Sequence, residues 1–299
     1  MHLITRSSVP VNFDSTDKFG VIICTRDIES ENFQRTMRFL ADQEWPIDSF
    51  LCVVMNYGNV EDGFPTLSGV SLPEVPLVLS RETRQGFASA RNAGLSISSK
   101  SRGVLFLDDD TIVESGWIME MWNAHLRSPA TVLGSMHDRL EIMPTDQAEM
   151  DAAASMIRSR KNATLSGSNG LFIPLGILGE LQFSETYNQS GGEDTDLLTR
   201  LALIGHVEVA VDCIAVEQDR LLLEYWMKDA GSAYRGGSLW LKINNRNGLP
   251  TLRIRFRACV GIVPALVIFL LSTFQSRLSR RLRLRVLMRR IGVVTSSTR

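Results

Sequence analysis

Short apolar runs separated by polar, turn-rich segments predict an α/β fold with a mostly parallel sheet. Three runs, Phe19–Cys24, Phe50–Met55 and Gly103–Leu107, are rich in aliphatic and β-branched residues, which is typical of strands buried on both faces. A helical pattern capped by Ser30 follows the first run, and a second one at 87–96 precedes the third. Strands that alternate with helices in this way favour a parallel, nucleotide-binding type of sheet.

The later part of the chain is less regular. Short strands are predicted at 76–79, 131–134 and 170–174, and helices at 116–126, 191–203 and, as one or two helices, 221–241. Residues 145–161 are polar enough to fit either a helix or a mobile loop.

Three consecutive carboxylates, Asp108, Asp109 and Asp110, directly follow the apolar run that begins at Gly103. Because like charges repel, the chain must either leave these acids in solvent or give them a shared countercharge, for which Mg²⁺ or Mn²⁺ with a phosphate-bearing ligand is a candidate. Ligands of open α/β sheets bind beyond the carboxyl ends of the strands. The triplet alone therefore leaves two interpretations open, a solvated turn and a metal site.

Other polar groups are expected at the same edge of the sheet. Thr25 and Arg26 follow the first strand, and Asn56 follows the second. Glu193 and Asp194 begin a predicted helix, where an acid is often only a cap or a partner of the helix dipole. A cluster of acids would bind a metal-bound diphosphate, and a separate acid would act as a base. This combination would suit transfer of a group from a nucleotide donor.

Charge is distributed unevenly along the chain. The 299 residues hold 32 Lys+Arg and 33 Asp+Glu, for a net charge of −1, yet residues 230–299 contain 14 of the basic residues and no acid. A basic tail on an acidic body indicates an anionic partner. The four cysteines are widely spaced and residues 1–18 contain no apolar signal-peptide core, so we expect reduced thiols and a cytoplasmic body.

The tail also contains an uncharged segment, residues 258–274, that is interrupted by Pro264 and flanked by arginines on both sides. Its length is marginal for a membrane span, which needs roughly 20 apolar residues. We therefore expect a segment that lies on or dips into the membrane, with the nearby arginines on anionic lipid headgroups. The flanking arginines count against a buried core helix, and the lack of interleaved aromatic residues counts against nucleic-acid binding.

Four strings occur in an order and spacing that resemble a known family. They are Ala90–Leu95 (ARNAGL), Phe106–Thr111 (FLDDDT), Ser168–Gly170 (SNG) and Ser190–Asp196 (SGGEDTD). Over about residues 20–237 the sequence resembles family 2 glycosyltransferases with the GT-A fold, and in particular succinoglycan-type exopolysaccharide glucosyltransferases. Each string alone would be weak, but their order makes the resemblance specific.

The resemblance implies roles for individual residues. Asp110, with Asp108, would be a ligand of Mg²⁺ or Mn²⁺, and Asp194, next to Glu193 in the Glu-Asp motif, would be the catalytic base. The implied contacts with the nucleotide-sugar donor are Thr25, Arg26, Asn56, Arg91, Asn92, Asp108 and Asp109.

Two positions depart from the family pattern. Asn56 stands where the family has an Asp that reads the uracil base, which puts the identity of the base in doubt because an amide also donates hydrogen bonds. Val216 stands where related proteins often carry a His, and it is followed by Glu217. If that His matters for the metal or the leaving group, Glu217 must serve instead.

The sequence thus predicts an N-terminal extension at 1–18, a GT-A catalytic domain at 19–245 and a membrane-associating segment at 246–299. The expected activity is inverting transfer from a nucleotide-sugar, by its resemblance a UDP-sugar, to a lipid-linked saccharide in cell-surface polysaccharide synthesis. The expected location is the cytoplasmic face of the inner or plasma membrane, with peripheral or single-segment attachment. Two alternatives remain: a metal-dependent phosphatase built on Asp108 and Asp110, and a non-catalytic membrane-attached scaffold.

Overall fold

The structure is a computed structural model, and it describes residues 3–6, 18–56, 67, 69–160, 163–165, 167–188, 191–218, 287–288 and 291. These residues fall into two compact units. The first holds the described residues up to Glu185 together with Leu197–Gln218, and the second holds Thr186–Asp196 with the described residues beyond 218. The predicted helices at 221–241 and the apolar segment at 258–274 lie outside the described residues.

The elements of the described chain are as follows. The strands are β1 (Leu3–Arg6), β2 (Phe19–Thr25), β3 (Ser49–Met55), β4 (Leu77–Arg81), β5 (Gly103–Asp108), β6 (Thr111–Val113), β7 (Val132–Leu140), β8 (Thr164–Leu165), β9 (Leu171–Pro174) and β10 (Glu208–Gln218). The helices are α1 (Glu31–Ala41), α2 (Phe87–Ile97), α3 (Trp117–Arg127), α4 (Gln147–Arg160), α5 (Leu175–Leu178) and α6 (Glu193–Leu203).

The predicted strands and helices of the first 126 residues are confirmed to within two residues at each end. The Ser30 hydroxyl accepts a hydrogen bond from the Phe33 N–H at 3.2 Å and so caps α1. Phe33, Met37 and Leu40 are fully buried on one face of this helix. Local capping and the helical spacing of apolar residues therefore account for where α1 begins and which face it buries.

The mixed α/β sheet with flanking helices is confirmed. Its strand order is β1-β4-β3-β2-β5-β9-β7-β10-β6, with β8 paired to β7. Strands β4, β3, β2 and β5 are parallel, whereas β9 runs antiparallel to both of its neighbours and β6 runs antiparallel to β10. The carboxyl ends of β2, β3 and β5 therefore share one edge of the sheet.

Both faces of this sheet are covered. Val21 and Ile23 pack on one face in a cluster with side chains of α1 and α3, and Ile22 packs on the other face with side chains of α2 and α6. Successive residues of a strand point to opposite faces, so a continuous apolar run is what two buried faces require. Burial on both faces explains why β2, β3 and β5 were predictable as uninterrupted apolar runs.

Residues 145–161, predicted as a helix or a mobile loop, contain the regular helix α4. It packs Met150, Ala154 and Ile157 against β6 and β10, where Val216 is a fully buried member of the same cluster. A charged network fixes the helix further, because Arg158 pairs with Glu114 and also with Asp212 at 3.1 Å. The helix is therefore held by a narrow apolar stripe together with polar contacts, among them this ion-pair network.

Residues of the predicted N-terminal extension add a strand to the sheet. β1 pairs antiparallel with β4, with Leu3 opposite Ser80 and Arg6 opposite Leu77. Among the helices that the structure describes, none combines the length and the apolar character that crossing a membrane requires.

Candidate active site

The acid triplet forms a two-residue turn at the carboxyl edge of the parallel strands. Asp108 is the last residue of β5, Thr111 is the first residue of β6, and Asp109 and Asp110 connect them. β2 lies beside β5 with Cys24 opposite Asp108, which brings Thr25 next to the turn. The Thr25 hydroxyl donates a 2.5 Å hydrogen bond to Asp109 Oδ2. The expected proximity of the first strand end and the triplet is therefore observed.

Asp109, the first of the two residues in this turn, is held by hydrogen bonds from two threonines. Its carboxylate accepts from Thr25, and its backbone carbonyl accepts a 3.2 Å hydrogen bond from the Thr36 hydroxyl on α1. Burial, the largest cause, and the neighbouring charges of Asp110 and Asp108 together raise the pKa of Asp109 to about 6, while the hydrogen bond from Thr25 acts in the opposite direction. Three adjacent acids thus repel one another here.

Asp108 pairs with a buried arginine. Arg91 Nη2 lies 3.1 Å from Asp108 Oδ1, and the Arg91 side chain is 7% exposed, whereas that of Asp108 is 38% exposed. The Arg91 guanidinium lies 5.7 Å from the ring centres of both Phe87 and Phe183. The two rings and the carboxylate fix the direction of this cation.

The exposed Arg26 also lies against the Phe87 ring. Its guanidinium is 5.7 Å from the centre of the Phe87 ring, and Phe87 itself is 48% exposed at the start of α2. Two predicted donor contacts, Arg26 and Arg91, thus lie against one partly exposed ring. Their contact with a donor stays a prediction.

Asn56 holds the loop that follows β4. Its Nδ2 donates to the carbonyl oxygens of Glu82 at 3.1 Å and Arg84 at 2.9 Å, and its Oδ1 accepts from the Gly86 N–H at 2.8 Å. The whole amide is therefore engaged within the protein. A role of Asn56 in base recognition, which the family pattern suggested, stays a prediction.

Asn92 connects α2 to the segment around Phe183. Its Nδ2 donates to the Phe183 carbonyl, and its Oδ1 accepts from the Phe183 N–H, both at 2.9 Å. Arg84 adds a second connection, because its Nη1 lies 2.9 Å from each carboxylate oxygen of Glu185. The loop after β4 and the segment 183–185 are thereby held together.

Asn169, which the sequence marked only as part of the SNG string, contacts three strands at the acid turn. Its Oδ1 accepts from the Asp108 N–H at 3.2 Å, and its Nδ2 lies 2.7 Å from Thr111 Oγ1 and 3.2 Å from His137 Nε2. Burial, followed by the charge of Arg139, lowers the pKa of His137 to about 4, so this imidazole is neutral at physiological pH. Sequence reasoning gave Asn169 no individual role, although it lies in the SNG string, and missed His137, which belongs to none of the four strings.

Glu193 and Asp194 lie in the first turn of α6, as predicted, and both belong to the second compact unit. Glu193 is buried, and Asp194 is half-buried with its Oδ1 accepting from the Thr195 N–H at 2.6 Å. These observations on Glu193 and Asp194 concern the second unit alone. The assignment of Asp194 as base stays a prediction.

Val216 and Glu217 occupy β10. Val216 is fully buried in the cluster between α4 and the sheet, so this position supplies packing. Glu217 forms an ion pair with Arg139, its neighbour in register on β7. The Glu217 carboxylate is therefore paired with the Arg139 guanidinium.

Within the described residues, no group of three or more His, Cys, Asp or Glu side chains is arranged to enclose a metal ion. Asp108 and Asp110 nevertheless provide hard carboxylate oxygens on one turn, the ligand type that Mg²⁺ and Mn²⁺ accept. A site here would take its remaining ligands from the substrate and from water.

Comparison with known proteins identifies the domain. Residues 20–165 match the family model described as Glycosyl transferase family 2. These residues belong to glycosyl transferase family 2. No curated protein matches the chain. The narrower likeness of this family 2 domain to succinoglycan-type enzymes stays a prediction.

The family 2 domain is also similar to solved structures. The chain is 17% identical to S. aureus TarS 1–349 in complex with UDP, with a TM-score of 0.50, and the match covers 72% of this chain and 64% of that one. It is 15% identical to GalNAc-T7 with UDP, GalNAc and Mn²⁺, with a TM-score of 0.49 over 69% of this chain and 44% of that one. At 17% identity the likeness to TarS shows the fold alone, and the chain spans less than two thirds of either structure.

Proposed function

We propose that this protein is a glycosyltransferase that moves a sugar from a nucleoside diphosphate donor to a saccharide acceptor. The observation that carries the proposal is the acid turn at Asp108–Asp110, held by Thr25 at the carboxyl edge of parallel strands in a family 2 domain. This edge is where open α/β sheets bind their ligands. The UDP in the TarS structure supports a UDP-sugar as the donor.

The donor set at the turn fits a divalent cation. Asp108 and Asp110 are half-buried, and burial and the charges of its neighbours raise the pKa of Asp109 between them to about 6. A cation would relieve this repulsion, and we assign Asp110 and Asp108 as its ligands. Bound Mg²⁺ or Mn²⁺ would supply Lewis-acid stabilisation of the departing nucleoside diphosphate.

Asp194 is the base in this proposal. As the acceptor oxygen attacks the anomeric carbon, the bond from that carbon to the donor phosphate breaks, and the diphosphate leaves with the electron pair. The Asp194 carboxylate takes the proton of the acceptor hydroxyl, and a single displacement of this kind inverts the anomeric centre. Glu193, buried beside it in the first turn of α6, completes the motif.

We further propose that the protein works at the cytoplasmic face of the inner or plasma membrane on a lipid-linked acceptor. The support is the sequence of residues 230–299, with 14 basic residues, no acid and one uncharged apolar segment. In a vesicle flotation assay, the full chain should co-float with vesicles that contain anionic lipid. It should not co-float with purely zwitterionic vesicles. Binding that is equal on both kinds of vesicle would contradict the electrostatic part of this proposal.

The proposed activity is tested with two site variants and one matched control. Asp110→Asn and Asp194→Asn should each reduce sugar transfer by about 100-fold or more and leave the circular dichroism spectrum unchanged. The matched control is Asp48→Asn, because Asp48 is exposed and has a φ of 63°, a conformation that asparagine tolerates well. Transfer that persists in either site variant would overturn the assignment of that residue.

The donor is identified by thermal shift. UDP-, GDP- and TDP-sugars are compared with and without Mn²⁺, because only a true donor should raise the melting temperature in a metal-dependent way. Sugar transfer by the same purified protein separates an enzyme from a scaffold that has kept the binding site.

A further inference from the structure

We propose that Asn169 is a positioning residue that fixes both ends of the acid turn, so that Asp108 and Asp110 are presented together to the metal-bound diphosphate. The proposal rests on the function proposed above and concerns a residue that touches neither the sugar nor the phosphates in that scheme. Asn169 is 3% exposed and lies two residues before β9, the strand between β5 and β7.

The backbone around Asn169 is tied to both neighbouring strands. The Gly170 N–H donates to the Phe106 carbonyl of β5, and the Gly170 carbonyl accepts from the Ser135 N–H of β7, each at 2.9 Å. Gly170 has a φ of +80°, in the left-handed region that favours glycine. This conformation ends the preceding loop at the sheet and leaves Asn169 at the level of the acid turn.

One amide then spans the turn. Its oxygen accepts from the backbone N–H of Asp108, the residue before the turn, at 3.2 Å. Its nitrogen is 2.7 Å from the hydroxyl of Thr111, the residue after the turn. Only Asp109 and Asp110 lie between these two contacts. The amide thus sets the separation of the turn's two ends.

The second N–H of the amide also has a partner. Asn169 Nδ2 lies 3.2 Å from Nε2 of the buried His137, which accepts when the imidazole proton is on Nδ1. An acceptor oxygen and two donors at one point are what an asparagine offers and what aspartate, serine or alanine cannot. The contacts therefore account for the residue type as well as for its place.

Asn169 complements the threonines at the centre of the turn. Thr25 and Thr36 hold the carboxylate and the carbonyl of Asp109, whereas Asn169 holds Asp108 before the turn and Thr111 after it. With Asp109 and both ends of the turn held, the backbone that carries Asp108 and Asp110 is fixed without substrate. Preorganisation of this kind lowers the cost of ordering ligands when a metal binds.

The test measures binding, independently of turnover. UDP is titrated calorimetrically into the full-length protein in the presence of Mn²⁺ and again in EDTA, and the ratio of the two affinities reports how strongly the turn couples the metal to the diphosphate. Asn169→Ala should lower this ratio by about 10- to 100-fold, the usual effect of losing a partner that orients metal ligands. The affinity in EDTA should change less than about twofold.

Two threonine variants keep the proposal testable if Asn169→Ala folds poorly. Thr111→Val replaces the hydroxyl by a methyl of similar size and should lower the ratio several-fold, whereas Thr111→Ser keeps the hydroxyl and should restore it. Glu114→Gln is the control for general loss of stability, because Glu114 pairs with Arg158 away from the turn and the variant should keep the wild-type ratio.

The outcomes separate this proposal from the proposed function. A wild-type ratio in Asn169→Ala, or equal ratios in the valine and serine variants of Thr111, would overturn the positioning role and leave the glycosyltransferase proposal standing. A wild-type protein whose UDP affinity does not respond to Mn²⁺ would overturn the metal assignment on which both proposals depend.

Discussion

Replacing Gly170 by alanine tests whether the approach of β9 to β7 requires a glycine. A Cβ at position 170 would lie 1.9 Å from Ser135 Oγ and 3.1 Å from Ser135 Cβ, and φ there is +80°. The left-handed backbone costs a residue with a Cβ about 1–2 kcal/mol. Overpacking in a buried site adds about 1–3 kcal/mol. Gly170→Ala should therefore lower the free energy of unfolding by about 2–5 kcal/mol.

The control and the rescue separate the two causes. Gly205 has a φ of +97° and nothing within 4 Å of an added Cβ, so Gly205→Ala should show the backbone cost alone, about 1–2 kcal/mol. Ser135 Oγ is buried and has no hydrogen-bond partner among the described residues, so Ser135→Ala should by itself be nearly neutral. In the Gly170→Ala background it should recover about 1–2 kcal/mol, because the closest contact is removed.

Urea denaturation of the wild type and the four variants at pH 7 gives these free energies, with the slope as a check that the unfolding transition stays two-state. The reasoning is refuted if Gly170→Ala is no less stable than Gly205→Ala, or if Ser135→Ala recovers nothing in the double variant. The UDP titration in Mn²⁺ then shows whether the same strain reaches the acid turn through Asn169.

Three further predictions concern buried polar groups. Glu114→Gln should lower the free energy of unfolding by about 1–3 kcal/mol in urea, because it leaves the partly exposed Arg158 with a weaker partner. The free energy of unfolding should fall by about 3 kcal/mol in total as the pH drops from about 6.5 to 4. The reason is that folded His137 stays neutral down to about pH 4, whereas the unfolded chain takes up the proton. His137→Gln should remove this part of the acid titration. Asn56→Asp should cost about 2–3 kcal/mol at pH 7 because it replaces the donors to two loop carbonyls by a carboxylate, and a variant as stable as wild type would contradict the loop-holding role.

The parts of the fold that were predictable from sequence are those whose burial is simple. β2, β3 and β5 are buried on both faces and appear as unbroken apolar runs, whereas α4 buries only Met150, Ala154 and Ile157, about one side chain per turn. A stripe that narrow leaves helix and loop equally compatible with the pattern. Its helical state is fixed by tertiary contacts that no local pattern contains.

β6 and β10 were not predicted, for two different reasons. β6 has only three residues and follows the acid turn directly, which is too short for any periodicity. β10 is long, but the register shift between Val211 and Ile214 breaks its alternation, and it carries the charged Asp212 and Glu217, which pair with Arg158 and Arg139. Charges that are paired with a helix or a neighbouring strand look like loop residues in the sequence.

At the candidate site, the strand ends could be predicted to converge because parallel strands share an edge, and Thr25 indeed contacts Asp109. What the spacing could not reveal is how each polar side chain is used within the protein. Asn56 is the clearest case: its departure from the family's aspartate raised a question about the base, whereas its amide satisfies two carbonyls and one N–H of the loop after β4. An aspartate could serve only the N–H, so the loop itself is a physical reason for asparagine at this position, independent of which base the donor carries.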